Sequence, residues 1–213
     1  MSEKLNHNYS DKEERLNIIT HAFGLLLSVI GLPFLIFKSL NLNGFWKPTS
    51  LIIYGLSLII LYAASTFYHA AKDPHLRRKL NIFDHAAIYV LIAGTYTPFT
   101  ILVLEGFLGW IIFGLTWMFA LTGIILKLFY TGLFDKLSTA LYLLMGWQIM
   151  FVINPLIERF STEGLQLLFA GGVFYTIGAV LYSMKKLPYN HAIFHVFVLL
   201  GSVCHFFSVL NFL

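Results

Sequence analysis

The chain has 213 residues, of which 58% are hydrophobic and 11% charged, and its formal net charge is +4. Soluble domains carry about 25% charged residues, so this composition excludes a soluble globular enzyme and points to a membrane protein. The positive balance does not argue for nucleic-acid binding, because the cations gather in one set of segments, as set out below.

The polar segment Met1–Arg15 comes first. The apolar stretch Leu16–Phe37 follows it with no small-residue cleavage site, so it reads as a retained helix and not as a signal peptide. A spanning helix needs about 20 mostly apolar residues. Six further stretches meet that need: Ser50–Ala71, Ile82–Leu104, Leu108–Tyr130, Leu137–Pro155, Leu165–Met184 and His191–Phe212. They use nearly the whole chain. The expected fold is therefore all-α, a single seven-transmembrane helix bundle over residues 1–213, in a multi-pass protein of the cell membrane.

Local signals refine the spans. Pro33, Pro98 and Pro155 lie in or at span ends, where kinks are tolerated. Gly171, Gly172 and Gly178 predict close helix approach in the sixth span. Gln148 and Asn154 read as interhelical hydrogen bonders, and Asp135 as a helix cap. Cys204 is the single cysteine, so no internal disulfide forms, and a packed thiol is expected.

Cations in the segments between spans carry the orientation signal. With the N-terminus inside, inner segments hold Lys4, Lys12, Arg15, Lys72, Arg77, Arg78, Lys79, Lys127, Lys136, Lys185 and Lys186. Outer segments hold Lys38, Lys47 and Arg159. The bias is eleven to three, and seven spans then put the C-terminus outside. The basic loop Lys72–Lys79 meets anionic lipid headgroups on this reading, and His75 within it is solvent-exposed.

Alternation of span direction brings polar residues to one depth. Ser65 and His69 end span two. Asp84 and His85 open span three, and His191 and His195 open span seven. Glu14, Asn17 and His21 stand at the start of span one. An ionisable group at membrane depth costs roughly 2.5–3.5 kcal/mol on insertion scales, so it usually marks a site. The outer halves of these spans are mostly apolar, which argues against a pore, and no internal repeat supports a transporter. Ser65 and His69 are four residues apart, as are His191 and His195, so each pair shares a helix face. Three imidazoles that converge form the ligand set of an open zinc site, although copper, iron and nickel also suit imidazole. The alternative is three buried histidines hydrogen-bonded across helices.

These residues resemble the progestin and adipoQ receptor superfamily, and most closely its bacterial hemolysin III branch. The matching segments are Glu14-x2-Asn17-x3-His21, Ser65–Thr66–Phe67–Tyr68–His69, Asp84 opening span three, and His191–Ala192–Ile193–Phe194–His195. The resemblance covers all seven spans. It implies a seven-helix bundle with an inner N-terminus and Zn2+ near the cytoplasmic face, held by His69, His191 and His195, with Ser65 and Asp84 beside the metal's open position. It also implies kinship with alkaline ceramidases, hence a hydrolase acting on a lipid amide between the helices. The hemolysin label implies membrane damage instead, and a zinc-stabilised receptor or regulator is the third possibility.

Individual residues keep alternatives. Asp84 is a water-mediated metal contact, a general base, a partner orienting a ligand histidine, or a helix cap. Ser65 bonds the metal's water, an oxyanion or its own helix. Glu14, Asn17 and His21 orient the site, line its inner mouth, or supply interface polarity. His85 points about 100° away from Asp84 around the helix and suits packing. His205 lies about 21 Å along the helix from His191 and suits a structural hydrogen bond.

Overall fold

The computed structural model describes residues 9–130 and 135–213, leaving aside the side chains of Tyr130, Asp135 and Lys136. The expected cap at Asp135 lies outside the described residues. The described elements are helical: α1 (Asp11–Ser39), α2 (Trp46–Ala70), α3 (Pro74–Pro98) with a π-turn at Phe99–Leu104, α4 (Gly106–Tyr130), α5 (Asp135–Trp147), α6 (Ile153–Arg159), α7 (Thr162–Ser183) and α8 (Asn190–Phe212). Among the described residues, seven helical stretches are long and apolar enough to cross a membrane, α5 and α6 together making the fifth.

Helix starts follow from their caps. Ser10 accepts from the Glu13 amide at 3.2 Å, and Asp11, Glu13 and Glu14 fill the first turn of α1, where the helix dipole favours acids. Asp73 accepts from the Leu76 amide at 2.8 Å, with Pro74 next in the chain. This cap corrects two sequence expectations. Span three begins at Pro74 and not at Ile82, and the basic segment expected as a loop is mostly the first turns of α3. Arg77 is thereby placed on a helix face, while His75 is exposed as expected.

Two spans depart from plain α-helix. After Pro98 the backbone widens into the π-turn, which ends where Glu105 and Gly106 take positive φ values of 46° and 54°. The fifth span breaks into a 3-10 turn at Gln148–Val152. Tyr96 causes a local interruption there: its hydroxyl accepts from the Ile149 amide and donates to Gly146 O, both at 2.8 Å, so a side chain enters the helix's own ladder. Span five reaches Arg159, beyond the expected end at Pro155. Gln148 bonds Thr116 across helices as expected. Asn154 does not: it is exposed and makes no hydrogen bond to another described residue.

The helices close into a ring, α1 against α2 and α8, α2 against α3, α3 against α4 and α5, and α5 against α7, which packs on α8. α3 with its π-turn is the central element: it is mostly buried, whereas no other span is more than half buried. Its Ala86, Ala87, Ala93 and Gly94 admit neighbours closely, and Thr95 and Thr97 satisfy their hydroxyls on their own helix. Ser202 on α8 accepts from Tyr62 of α2 at 2.8 Å and pairs with Tyr175 of α7 at the same distance, which ties three helices at mid-depth.

The α7–α8 contact is set by small residues. A Cβ at Gly171 would stand 2.2 Å from the His205 ring and 3.0 Å from Gly201 O, whereas one at Gly114 would meet nothing within 4 Å. Gly171→Ala should therefore destabilise the protein by about 1–3 kcal/mol through overpacking. Gly114→Ala should gain up to ~1 kcal/mol from helix propensity. Thermal unfolding in detergent reads both, and equal shifts would contradict the packing account. Gly172 meets only Trp147 at 3.6 Å, an ordinary contact, so the expected close approach holds at Gly171 and Gly178 alone.

Candidate metal centre

His69 sits in the last turn of α2, and His191 and His195 sit one turn apart at the start of α8. Asn190 donates to Tyr182 O at 2.8 Å, anchoring the first residue of α8 to α7. All three imidazoles are buried, and one ligand nitrogen from each lies within 4.8 Å of the others. No other group of three His, Cys, Asp or Glu residues among the described ones comes this close.

The nitrogens are sorted by side. His69 Nε2 and His191 Nε2 face each other at 3.1 Å. The Nδ1 atoms face outward, and α1 with the residues just before it supplies a partner for each. Glu14 Oε2 lies 2.7 Å from His69 Nδ1. Tyr9 Oη lies 2.9 Å from His191 Nδ1. Asn17 O and Thr20 Oγ1 each lie 3.4 Å from His195 Nδ1. An ionised carboxylate only accepts, so Glu14 requires the proton of His69 on Nδ1 and leaves a bare lone pair on Nε2. Such an arrangement orients a histidine for a metal. Burial pushes the Tyr9 hydroxyl well above the ordinary tyrosine range, so it stays protonated.

This donor set fits zinc. Tetrahedral zinc with N ligands at about 2.0–2.1 Å spaces them about 3.3–3.4 Å apart, close to the separation of the two Nε2 atoms. Further buried polar atoms nearby lack any hydrogen-bond partner: Asn17 Oδ1, both ring nitrogens of His21, and Ser65 Oγ. His21 stacks on His195 with ring centroids 3.5 Å apart. Buried polar groups are rarely left unpaired, so this cluster is shaped for something more than protein.

Ser65 is fully buried one turn before His69. Asp84 is 8% exposed and stands outside the three-nitrogen cluster. It lines, with His191 and His195, a cavity of about 170 Å³ whose walls include Leu61, Leu91 and Val198. The cavity reaches His205, ten residues or about 15 Å beyond His195 along α8. His205 donates from Nε2 to Leu168 O at 3.0 Å, as expected for a structural role. His85 donates from Nδ1 to Asn81 O at 2.7 Å and also lines the cavity.

Sequence reasoning missed three participants. Tyr9 carries no periodic or motif signal. Arg77 pairs with Glu14 and reaches the carbonyls of Tyr68, His69 and Ala71 at 3.3–3.4 Å, closing the C-terminal end of α2. Lys127, counted only as an inner charge, is 3% exposed and lines the cavity. Its place in an apolar helix was the available signal.

Removing the carboxylate acceptor from His69 by Glu14→Ala should weaken the affinity of the three-histidine cluster for an added metal ion about 10–100-fold. Glu14→Gln, which still accepts one bond, should fall between. Competition against a chelating dye measures both, and wild-type affinity in Glu14→Ala would contradict the orienting role.

A family model described as Haemolysin-III related matches residues 9–206, which include every residue placed around this centre. The chain is 45% identical over 202 residues to the Hemolysin-3 homolog of Bacillus subtilis (strain 168), covering 95% of each chain. It is 44% identical over 199 residues to Hemolysin-3 of Bacillus cereus, covering 93% of this chain and 91% of that one. The human Monocyte to macrophage differentiation factor is 30% identical over 211 residues, covering 94% and 84%. No solved structure matches the chain.

Proposed function

The chain belongs to the haemolysin-III-related family, within the progestin and adipoQ receptor superfamily, and we propose that this multi-pass integral membrane protein is a zinc-dependent hydrolase of a lipid amide. The observation that carries the reading is the meeting of a three-histidine cluster with an apolar cavity lined by Asp84. Three protein ligands leave a position open for chemistry, whereas structural zinc sites usually use four. Following the eleven-to-three cation bias, this end of the bundle faces the cytoplasm.

His69, His191 and His195 would hold the ion. When bound, zinc supplies Lewis acidity that polarises a carbonyl and acidifies water near neutral pH. Asp84 would take the proton of the attacking water and hand it to the departing amine. The unpaired Ser65 hydroxyl would donate to the oxyanion. The walls between the metal end and His205 would hold an acyl chain.

Zinc-loaded protein should release fatty acid from a short-chain fluorescent ceramide, stop on chelation and restart on zinc addition. Absence of product from ceramides and other lipid amides would favour a second reading, a receptor or regulator. The observation behind that reading is that the cluster ties α2 to α8 while α1 and Tyr9 just before it partner all three outer nitrogens. Because the two Bacillus relatives are named as hemolysins, dose-dependent leakage from vesicles without zinc dependence is the parallel assay for membrane damage.

A further inference from the structure

The cavity that begins at His191 and His195 reaches His205, and the wall around His205 carries several polar side chains. The hydroxyls of Thr95, Tyr96, Tyr175 and Thr176 and the Trp147 indole belong to it, and each is already engaged. Thr95 donates to Leu91 O at 2.8 Å and Thr176 to Gly172 O at 2.7 Å. Tyr96 donates to Gly146 O and accepts from the Ile149 amide. Tyr175 pairs with Ser202, and Trp147 donates to Thr176. His205 differs. It is 8% exposed, and its Nδ1 is buried without a hydrogen-bond partner. Leu168 O only accepts, so the ring hydrogen sits on Nε2, and Nδ1 of the neutral imidazole is a bare acceptor. The opposite edge of the ring is pressed on α7, where a Cβ at Gly171 would stand 2.2 Å from Cδ2. A second cavity, of about 40 Å³, meets the first here, and Thr95, Tyr96, Trp147 and His205 line both. A buried water is held by about three hydrogen bonds, whereas the described side chains at this end leave one atom unpaired.

We propose that the end of the cavity at His205 is a hydroxyl-recognition subsite, in which His205 Nδ1 accepts from a hydroxyl carried in mid-chain on the acyl group of the bound lipid. The inference rests on the reading above that an acyl chain lies between the metal end and His205. Ligand cavities are mostly apolar, and a few placed polar groups set their specificity. Here the placed group stands about 15 Å along α8 from His195, far from the end where the amide would be cut. A buried acceptor without a partner carries a desolvation penalty, which a donor at the right carbon removes. A hydroxyl elsewhere along the apolar walls would itself be buried unpaired. The subsite therefore reads the position of a hydroxyl along the chain.

The full chain, purified in detergent and loaded with zinc, is titrated calorimetrically with an unsubstituted long-chain fatty acid, the kind of product that amide hydrolysis would release. Isomers carrying one hydroxyl at successive mid-chain carbons are titrated beside it. One isomer should bind about 5–10-fold tighter than the unsubstituted acid. Isomers with the hydroxyl a few carbons to either side should bind no tighter than the unsubstituted acid, or more weakly. In His205→Leu, and in His205→Phe, which keeps a ring, the preferred isomer should lose its advantage. Leu168 lies inside α7, so its carbonyl keeps its helical partner in both variants. A general loss of stability moves all the affinities together, so the ratio between isomers separates recognition from structure. Equal binding of every isomer and of the unsubstituted acid by wild type would overturn the subsite and leave the acyl-chain reading standing. A preference that survives in both variants would overturn the role of His205. No binding of any acid would defeat the acyl-chain reading itself, and the subsite with it.

Discussion

On the proposed hydrolase reading, Asp84→Asn should abolish turnover of a lipid amide while leaving zinc in place. Asp84 lies outside the cluster of three nitrogens, so its loss removes no imidazole ligand. It lines the cavity shared by His191 and His195, beside the space where substrate would lie. Asn keeps the size and loses the basicity. A positioned general base contributes about 10²–10⁴-fold in rate. The expected result is a fall of that size in fluorescent-ceramide hydrolysis, with zinc content matching wild type by elemental analysis. Loss of zinc with activity would make Asp84 a metal-holding group, and full activity would end the base role.

Chelation should lower the unfolding temperature of the wild type and leave His69→Ala unchanged. An ion held by His69, His191 and His195 links the end of α2 to the start of α8, so it binds the folded state and not the unfolded one. Such linkage stabilises by about 4 kcal/mol when free zinc is 1,000 times the dissociation constant. His69→Ala leaves two histidines of the same helix, one turn apart, and breaks the cross-link. Unfolding in detergent with and without a chelator measures this. Equal curves for chelated and zinc-loaded wild type would mean that the histidines hold α2 and α8 by hydrogen bonds alone.

Much of this architecture was legible in the residues. Seven apolar stretches were visible because spanning helices have a fixed minimum length and few charges. The convergence of His69, His191 and His195 followed from alternating span direction and the four-residue spacing on α8. What stayed hidden depended on tertiary contact. The start of α3 at Pro74 turns on an Asp73 cap inside a polar segment, where a loop was the simpler reading. The break in the fifth span comes from Tyr96, about 50 residues away in the chain. Asn154 looked like an interhelical hydrogen bonder, but it is exposed just past the break. Tyr9 belongs to no repeat and no span, and its role comes only from where α1 begins relative to α8.

The most direct test of the central claim is the metal content of the purified protein, wild type beside His191→Ala. About one zinc per chain in wild type and none in the variant is the predicted result. No metal in either preparation, both folded and never exposed to chelator, would contradict it and leave the three histidines as helix-to-helix hydrogen bonders.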